Sequence, residues 1–257
     1  MSPPRTSSSC GPEPSFPGPA RRPAPGSPAA PPDPKEERHV RTHLLHREDP
    51  YLRDFETTVS GVGEDTLELD ATAFYARGGG QLGDQGVLGG HRVLDTVKSP
   101  DGLGVVHRME WNGAPPAPGD RVTGHVDWER RYPMMRLHSA QHLLWIALAA
   151  EYGPDQQERG GEISPEKARL DVAWEAAERP DAAALTARLA ALVAADLPIE
   201  RYATDPGGER WEWAIAEHPP IPCGGTHVRS TGETGPLAVT VKGKGRGTVR
   251  LTVSPAG

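Results

Sequence analysis

The sequence predicts an α+β protein: a small N-terminal β-barrel, then a two-layer α/β domain, behind a disordered proline-rich tail. Three observations carry this. Residues 1–38 hold 12 of the 28 prolines and one aromatic, Phe16, too little apolar surface to offset the entropy of ordering. Residues 39–130 alternate short β-type runs with glycine-rich turns, the pattern of a small barrel. Residues 131–257 mix helical apolar spacing with further strands, which suits helices packed on a largely antiparallel sheet.

In the first domain, Thr57–Val59 and Thr66–Leu69 alternate as half-buried strands do. Turns follow at Gly78-Gly79-Gly80, Gly83-Asp84, Gly89-Gly90 and Asp101-Gly102, then strands at Gly104–Met109 and Arg121–Val126. Pro133 reads as a helix start. Leu137, Ala140, Leu144, Ala147 and Leu148 give Met134–Tyr152 a buried helical face, which Gly153-Pro154 ends. Ala168–Trp174 reads as a strand. Asp181–Asp196 reads as a helix with Leu185, Leu189, Leu192 and Val193 inward and Asp181 at its positive end. Strands recur at Ile199–Ala203, Arg210–Ile215, Leu237–Val241 and Thr248–Val253.

Composition excludes several classes. No apolar core of a signal peptide follows Arg5, and no run approaches a membrane span, so a cytoplasmic protein with no membrane partner is expected. The net charge of −7 has the wrong sign for nonspecific coating of nucleic acid, and DNA is not an expected partner. Two local basic clusters remain: Arg130, Arg131 and Arg136, and Lys242, Lys244, Arg246 and Arg250. Of the two cysteines, Cys10 falls in the tail; Cys223 reads as a free thiol with a chemical role or as an apolar filler.

Chemistry concentrates in two motifs. His138-Ser139-Ala140-Gln141-His142 places two imidazoles at i and i+4 on a helix, about 5–6 Å apart at Cβ. Pro222-Cys223-Gly224-Gly225-Thr226-His227 places a thiol and an imidazole four apart across a glycine turn. Each alone is a weak signal. Together they form a Cys/His set that suits the softness and tetrahedral preference of zinc. Four ligands close the shell, as in structural sites, whereas catalysis at a metal needs an open position. The Gly78–Gln81 run lacks the Lys-Ser/Thr of a P-loop; it reads as a barrel turn or as a close approach for an RNA backbone.

The two motifs, with Phe74–Asp84, Ile163–Asp171 and Gly232–Gly235 followed by Lys242–Gly245, resemble the editing domain of alanyl-tRNA synthetase and its freestanding relatives, the AlaX proteins. The resemblance runs from about Val40 to Val253. It implies an ATP-independent, zinc-dependent hydrolase that acts in trans on the ester of mischarged tRNA(Ala), carrying serine and also glycine. It implies zinc held by His138, His142, Cys223 and His227, and a glycine-rich segment, Gly78, Gly79, Gly80 and Gln81, near the tRNA. Thr226 is a candidate hydrogen-bond donor in catalysis, and Lys242, Lys244 and Arg246 are candidate tRNA contacts. Gln141 departs from the family, which often carries a small hydroxyl residue before the second histidine. The alternatives are a non-catalytic zinc-stapled tRNA-binding module and a hydrolase of a small free ester.

Overall fold

The computed structural model describes residues 41–256; the expected proline-rich tail lies outside them. Strand β1 (His43–Leu44) and the one-turn helix α1 (Leu45–Glu48) come first. There follow β2 (Asp54–Val62), β3 (Thr66–Leu69), β4 (Ala71–Thr72), β5 (Gly86–Leu88), β6 (His91–Lys98), β7 (Val105–Glu110) and β8 (Arg121–Val126). β1 and β4 pair in parallel. The strands β2, β3, β7, β6, β5 and β8 close in that order into a barrel, antiparallel at every junction. Alternation explains the closure: in β8 Val122 and Val126 turn inward while Arg121, Thr123 and His125 face out. Phe55, Leu67, Leu69, Phe74, Leu88 and Met109 fill the interior, each contributing roughly 1.5–3 kcal/mol on burial.

Helix α2 (Trp128–Tyr152) begins five residues before Pro133, which corrects the expected start. The Asp127 carboxylate accepts from the Arg130 amide at 3.2 Å and caps the first turn. Pro133 sits one turn further in, where its missing N–H forgoes only a bond to the carbonyl of exposed Glu129. Beyond α2 come β9 (Glu158–Ile163), β10 (Ala168–Ala173), α3 (Ala182–Ala194), β11 (Ile199–Ala203), β12 (Trp211–Ile215), β13 (Ile221–Pro222), β14 (Leu237–Gly245) and β15 (Thr248–Pro255). An antiparallel sheet in the order β14-β15-β10-β9 supports α2 and α3, and β11-β12-β13 form a second, three-stranded sheet. The expected inner face of α2 is buried, but so are Met134, Leu143 and Ile146, because the helix meets sheet, α3 and barrel together. Leu185 and Leu189 of α3 are fully buried, with Leu192 and Val193 partly so; Asp181 caps this helix through the Ala183 amide.

Two ties join barrel and helix–sheet layer. Arg131, fully buried on α2, pairs with fully buried Asp84 and donates to the carbonyls of Pro50 (2.9 Å) and Ala73 (2.6 Å). The glycine turn is stitched to β9: Ile163 donates to the Gly80 carbonyl at 2.8 Å, and Leu82 to Ile163 at 3.4 Å. β9 escaped the sequence reading because Glu158–Ile163 carries two glycines and no alternation; pairing with β10 and this stitch hold it extended. Among the described residues no helix is long and apolar enough to cross a membrane.

Candidate metal centre

One turn of α2 and the loop after β13 bring His138, His142, Cys223 and His227 together. Their ligand atoms all lie within 4.8 Å of one another, and the four could hold a metal ion. Cys223 Sγ stands 3.4 Å from His138 Nε2 and 3.2 Å from His227 Nε2. The loop must come this close: a Cβ on Gly225 would stand 2.2 Å from His138 Cε1, so no other residue fits there.

The remaining ring nitrogens are fixed from behind. His138 Nδ1 donates to Gln81 Oε1 at 2.8 Å, and Gln81 Nε2 donates to Thr226 Oγ1 at 2.8 Å. His227 Nδ1 lies 3.2 Å from Ser139 Oγ, which also accepts from the Val228 amide. The Gln81 amide oxygen can only accept, so His138 carries its proton on Nδ1 and turns its Nε2 lone pair toward Cys223, whereas the Ser139 hydroxyl holds the His227 ring in place and serves either tautomer. His142 Nε2 is buried with no partner, and its ring packs 4.9 Å from that of Trp213. Such an orphan lacks a partner that the protein itself does not supply.

Burial holds the imidazoles neutral. Desolvation, helped by the neighbouring His142 and Arg201, keeps His138 well below its usual range; burial first, then His138 and His142, does the same for His227. Burial alone lowers His142 to about 4. It also raises the Cys223 thiol. Three neutral imidazoles and one protonated thiol are a donor set that could hold a cation, whose charge would ionise such a thiol.

The cluster opens onto a cavity of about 790 Å³. Gly78, Gly79 and Gly80 line it, as do Gln141, His142, Cys223, Gly224 and Gly225. Gln81 does not lie on its surface: it is fully buried, as is Thr226. Gln141 Nε2 donates to the Arg169 carbonyl at 2.7 Å, tying α2 to β10. Lys242 and Lys244 are exposed on β14 and Arg246 in the turn to β15, and none of the three lines the cavity. The other basic clusters are committed within the fold: Arg250 forks onto Asp171 at 2.6 Å, Arg131 is in the buried pair, and Arg130 and Arg136 donate to the Gly83 and Thr234 carbonyls. Sequence reasoning missed Ser139 and the link from Gln81 to His138. The only signal for the second was the glycine-rich run beside Gln81.

A family model, tRNA synthetases class II (A), matches residues 44–130. The alanine–tRNA ligase of Pyrobaculum arsenaticum is 34% identical over 227 residues, covering 77% of this chain and 25% of the ligase. That of Thermofilum pendens is 36% identical over 222 residues, covering 77% and 24%. The chain belongs to the alanyl-tRNA synthetase-related proteins. A shorter match within this group, to the ligase of Ignicoccus hospitalis, reaches 41% identity over 134 residues, 51% of the chain and 14% of the ligase. This alanyl-tRNA synthetase relative spans about a quarter of the length of the first of these ligases. The family-model match stops at Arg130, so all four donor residues lie beyond it.

Proposed function

We propose that the protein is a zinc-dependent deacylase that hydrolyses mischarged tRNA(Ala), releasing serine and, more slowly, glycine. One observation carries the reading: four convergent donors, His138, His142, Cys223 and His227, the first three of them lining a cavity, in a relative of alanine–tRNA ligase. Neutral imidazoles and a thiol suit zinc over harder ions. Bound zinc supplies Lewis acidity toward an ester carbonyl. The protein's own residues do the rest. Gln81 aims His138, and Ser139 aims His227. Thr226, with its hydroxyl on Gln81, positions that amide. Gly224 and Gly225 line the cavity and offer the reacting ester a close approach.

Selection of serine over alanine needs a polar contact, since alanine is smaller and enters any pocket that holds serine. A pocket built around a hydroxyl rejects a substrate lacking it because its own polar group stays unpaired. Gln141 suits that role: its Nε2 is committed to Arg169, which leaves Oε1 to accept the serine hydroxyl. Lys242, Lys244 and Arg246 contact tRNA phosphates in this reading, so their triple alanine variant flattens the salt dependence of tRNA binding by about one slope unit per lost contact.

The test is a deacylation time course on seryl-, glycyl- and alanyl-tRNA(Ala), with and without a chelator. Fast release of serine, slow release of glycine and spared alanine are expected, all lost on chelation. Equal rates on seryl- and alanyl-tRNA sink the selectivity. A four-donor shell that leaves no open position favours a second reading, a zinc-stapled tRNA-binding module without catalysis. Full zinc, tight tRNA binding and no turnover would select it.

A further inference from the structure

The carboxylate of Glu158 reaches the cavity by a break in strand register. In β9, Ile163 and Gly161 stand opposite Ala168 and Leu170 on the inner face of the sheet. Alternation would put Arg159 next on that face. The register shifts there instead, and Glu158 stands opposite fully buried Val172. Gly160 takes up the shift at φ 148°, backbone that other residues rarely adopt. Such a bulge re-aims a side chain. This one takes Arg159 off the inner face and brings Glu158 onto it, where it lines the cavity.

Gly161 fixes where the carboxylate stands. A Cβ there would lie 3.0 Å from Gln141 Nε2 and 3.4 Å from Glu158 Oε1. The bare glycine therefore lets amide and carboxylate meet above it, one residue along α2 from the metal donor His142. Gln141 is held by its bond to the Arg169 carbonyl. Glu158 has no such tie: among the described residues its side chain makes no ion pair or hydrogen bond. Glu209, the other carboxylate on the cavity, is paired with Arg41 and, with Asp205, acts on the charge of Arg47. An unpaired carboxylate turned inward by its own strand is set to receive a cationic donor. In an aminoacyl ester that donor is the α-ammonium, on the carbon next to the reacting carbonyl.

We propose that Glu158 is the α-ammonium subsite of this cavity, which restricts the substrates to esters with a free α-amino group and refuses N-blocked and peptidyl esters. The proposal rests on the reading of the cavity as the seat of an aminoacyl-tRNA ester. Serine carries its amino group and its hydroxyl on adjacent carbons, so Glu158 takes the first while Gln141 Oε1 takes the second. A blocked amine brings no charge and leaves the carboxylate covered without its partner, which is how a polar site rejects an analogue lacking the group it was built for.

Binding separates the subsite from the chemistry. The probes are 3′-serylamino-3′-deoxyadenosine, whose amide replaces the labile ester, and the same molecule with 3-hydroxypropanoyl in place of seryl, which lacks only the amino group. The zinc-loaded protein should hold the first about ten-fold more tightly or better. The ratio should fall toward one in Glu158→Gln, which keeps the shape and removes the charge; the side chain is exposed, so the variant keeps its fold. N-acetylseryl-tRNA(Ala) should be hydrolysed about ten-fold more slowly than seryl-tRNA(Ala), or worse. Equal affinity for the two probes, binding of neither, or a ratio that persists in Glu158→Gln overturns the subsite. A ratio that depends on Glu158 without turnover of seryl-tRNA leaves the subsite standing and removes the hydrolase. Turnover of seryl- and N-acetylseryl-tRNA at equal rates does the reverse.

Discussion

His107 in the barrel and His142 on α2 are both held neutral by burial, each at about 4, yet their surroundings differ. His107 is fully enclosed, with Nδ1 2.9 Å from the Leu67 carbonyl and Nε2 2.9 Å from Thr72 Oγ1. His142 lies on the wall of a cavity, and its buried Nε2 has no partner. The same contrast separates the two polar clusters that interrupt the cores. Arg131 and Asp84 are both fully buried and satisfied by each other and by backbone carbonyls. The His/Cys set is only partly buried, faces the cavity, and leaves His142 Nε2 without a partner. A buried polar group with all its partners is architecture; one without them marks a place for something else.

The largest effect expected from breaking this contrast is at the incomplete end. His142→Ala/Cys223→Ala should lose its metal, measured by metal analysis of the purified protein. Hydrolysis of seryl-tRNA should fall about 10³-fold or more, because the metal supplies several kcal/mol at about 1.4 kcal/mol per factor of ten. Folding should weaken as well, since an ion there ties α2 to a loop 81 residues further along, from 142 to 223. Full metal occupancy in the double variant would refute the ligand assignment. At the satisfied end Arg131→Met should keep the metal content per folded chain but cost roughly 3–5 kcal/mol in denaturant unfolding, because Asp84 is left buried and unpaired. A loss under 1 kcal/mol would mean that water reaches Asp84 and the pair is not the tie it looks to be.

These two clusters were not equally legible in the sequence. The metal motifs are local: HxxxH and CxxxH each fit in five residues, and the chemistry of histidine and cysteine is specific enough to survive the 81-residue gap. The barrel and the α2 face were legible for the same reason, as Val122, Val126, Leu137 and Leu144 repeat with strand and helix periods. Arg131 was different. It stood in a basic cluster with no sign of burial, because its partner lies 47 residues away and nothing local marks a buried ion pair. The start of α2 was misjudged because a proline is a stronger local mark than the Asp127 carboxylate that caps the helix. β9 was invisible because its extension comes from pairing, not from its own residues.

The satisfied histidine makes a prediction in pH. The folded pKa of His107 is about 4 against an ordinary 6.5, so the unfolded chain takes up a proton that the folded barrel refuses. The stability this histidine contributes is complete above about 6.5. It is lost as pH falls from 6.5 to 4, by an amount on the order of 3 kcal/mol. His107→Gln removes the proton binding and should flatten the fall in unfolding free energy over that window relative to the parent protein. The difference isolates His107 from the other buried histidines, which both proteins share. Parallel curves would show that the barrel opens to admit the proton.

The smallest expected effect tests whether the barrel takes part in the metal centre or only abuts it. Gln81 is a barrel residue by chain position, fully buried, and 57 residues from the histidine it orients. If its amide serves only as filler, Gln81→Met, which keeps the volume and removes both polar atoms, is nearly neutral for metal binding. If it fixes the His138 tautomer, the ring loses its acceptor at Nδ1 and Thr226 loses its donor. Metal affinity then falls about 10–100-fold, as for other residues that orient a metal's ligands. Gln81→Glu sharpens the distinction: the carboxylate still accepts from His138 Nδ1, so affinity should recover, although Thr226 no longer receives an N–H and must turn its own hydroxyl to donate instead. Competition with a zinc chelator of known affinity gives all three values. A Met variant as tight as the parent would return Gln81 to the barrel; a weak Met variant rescued by Glu would place it in the metal centre.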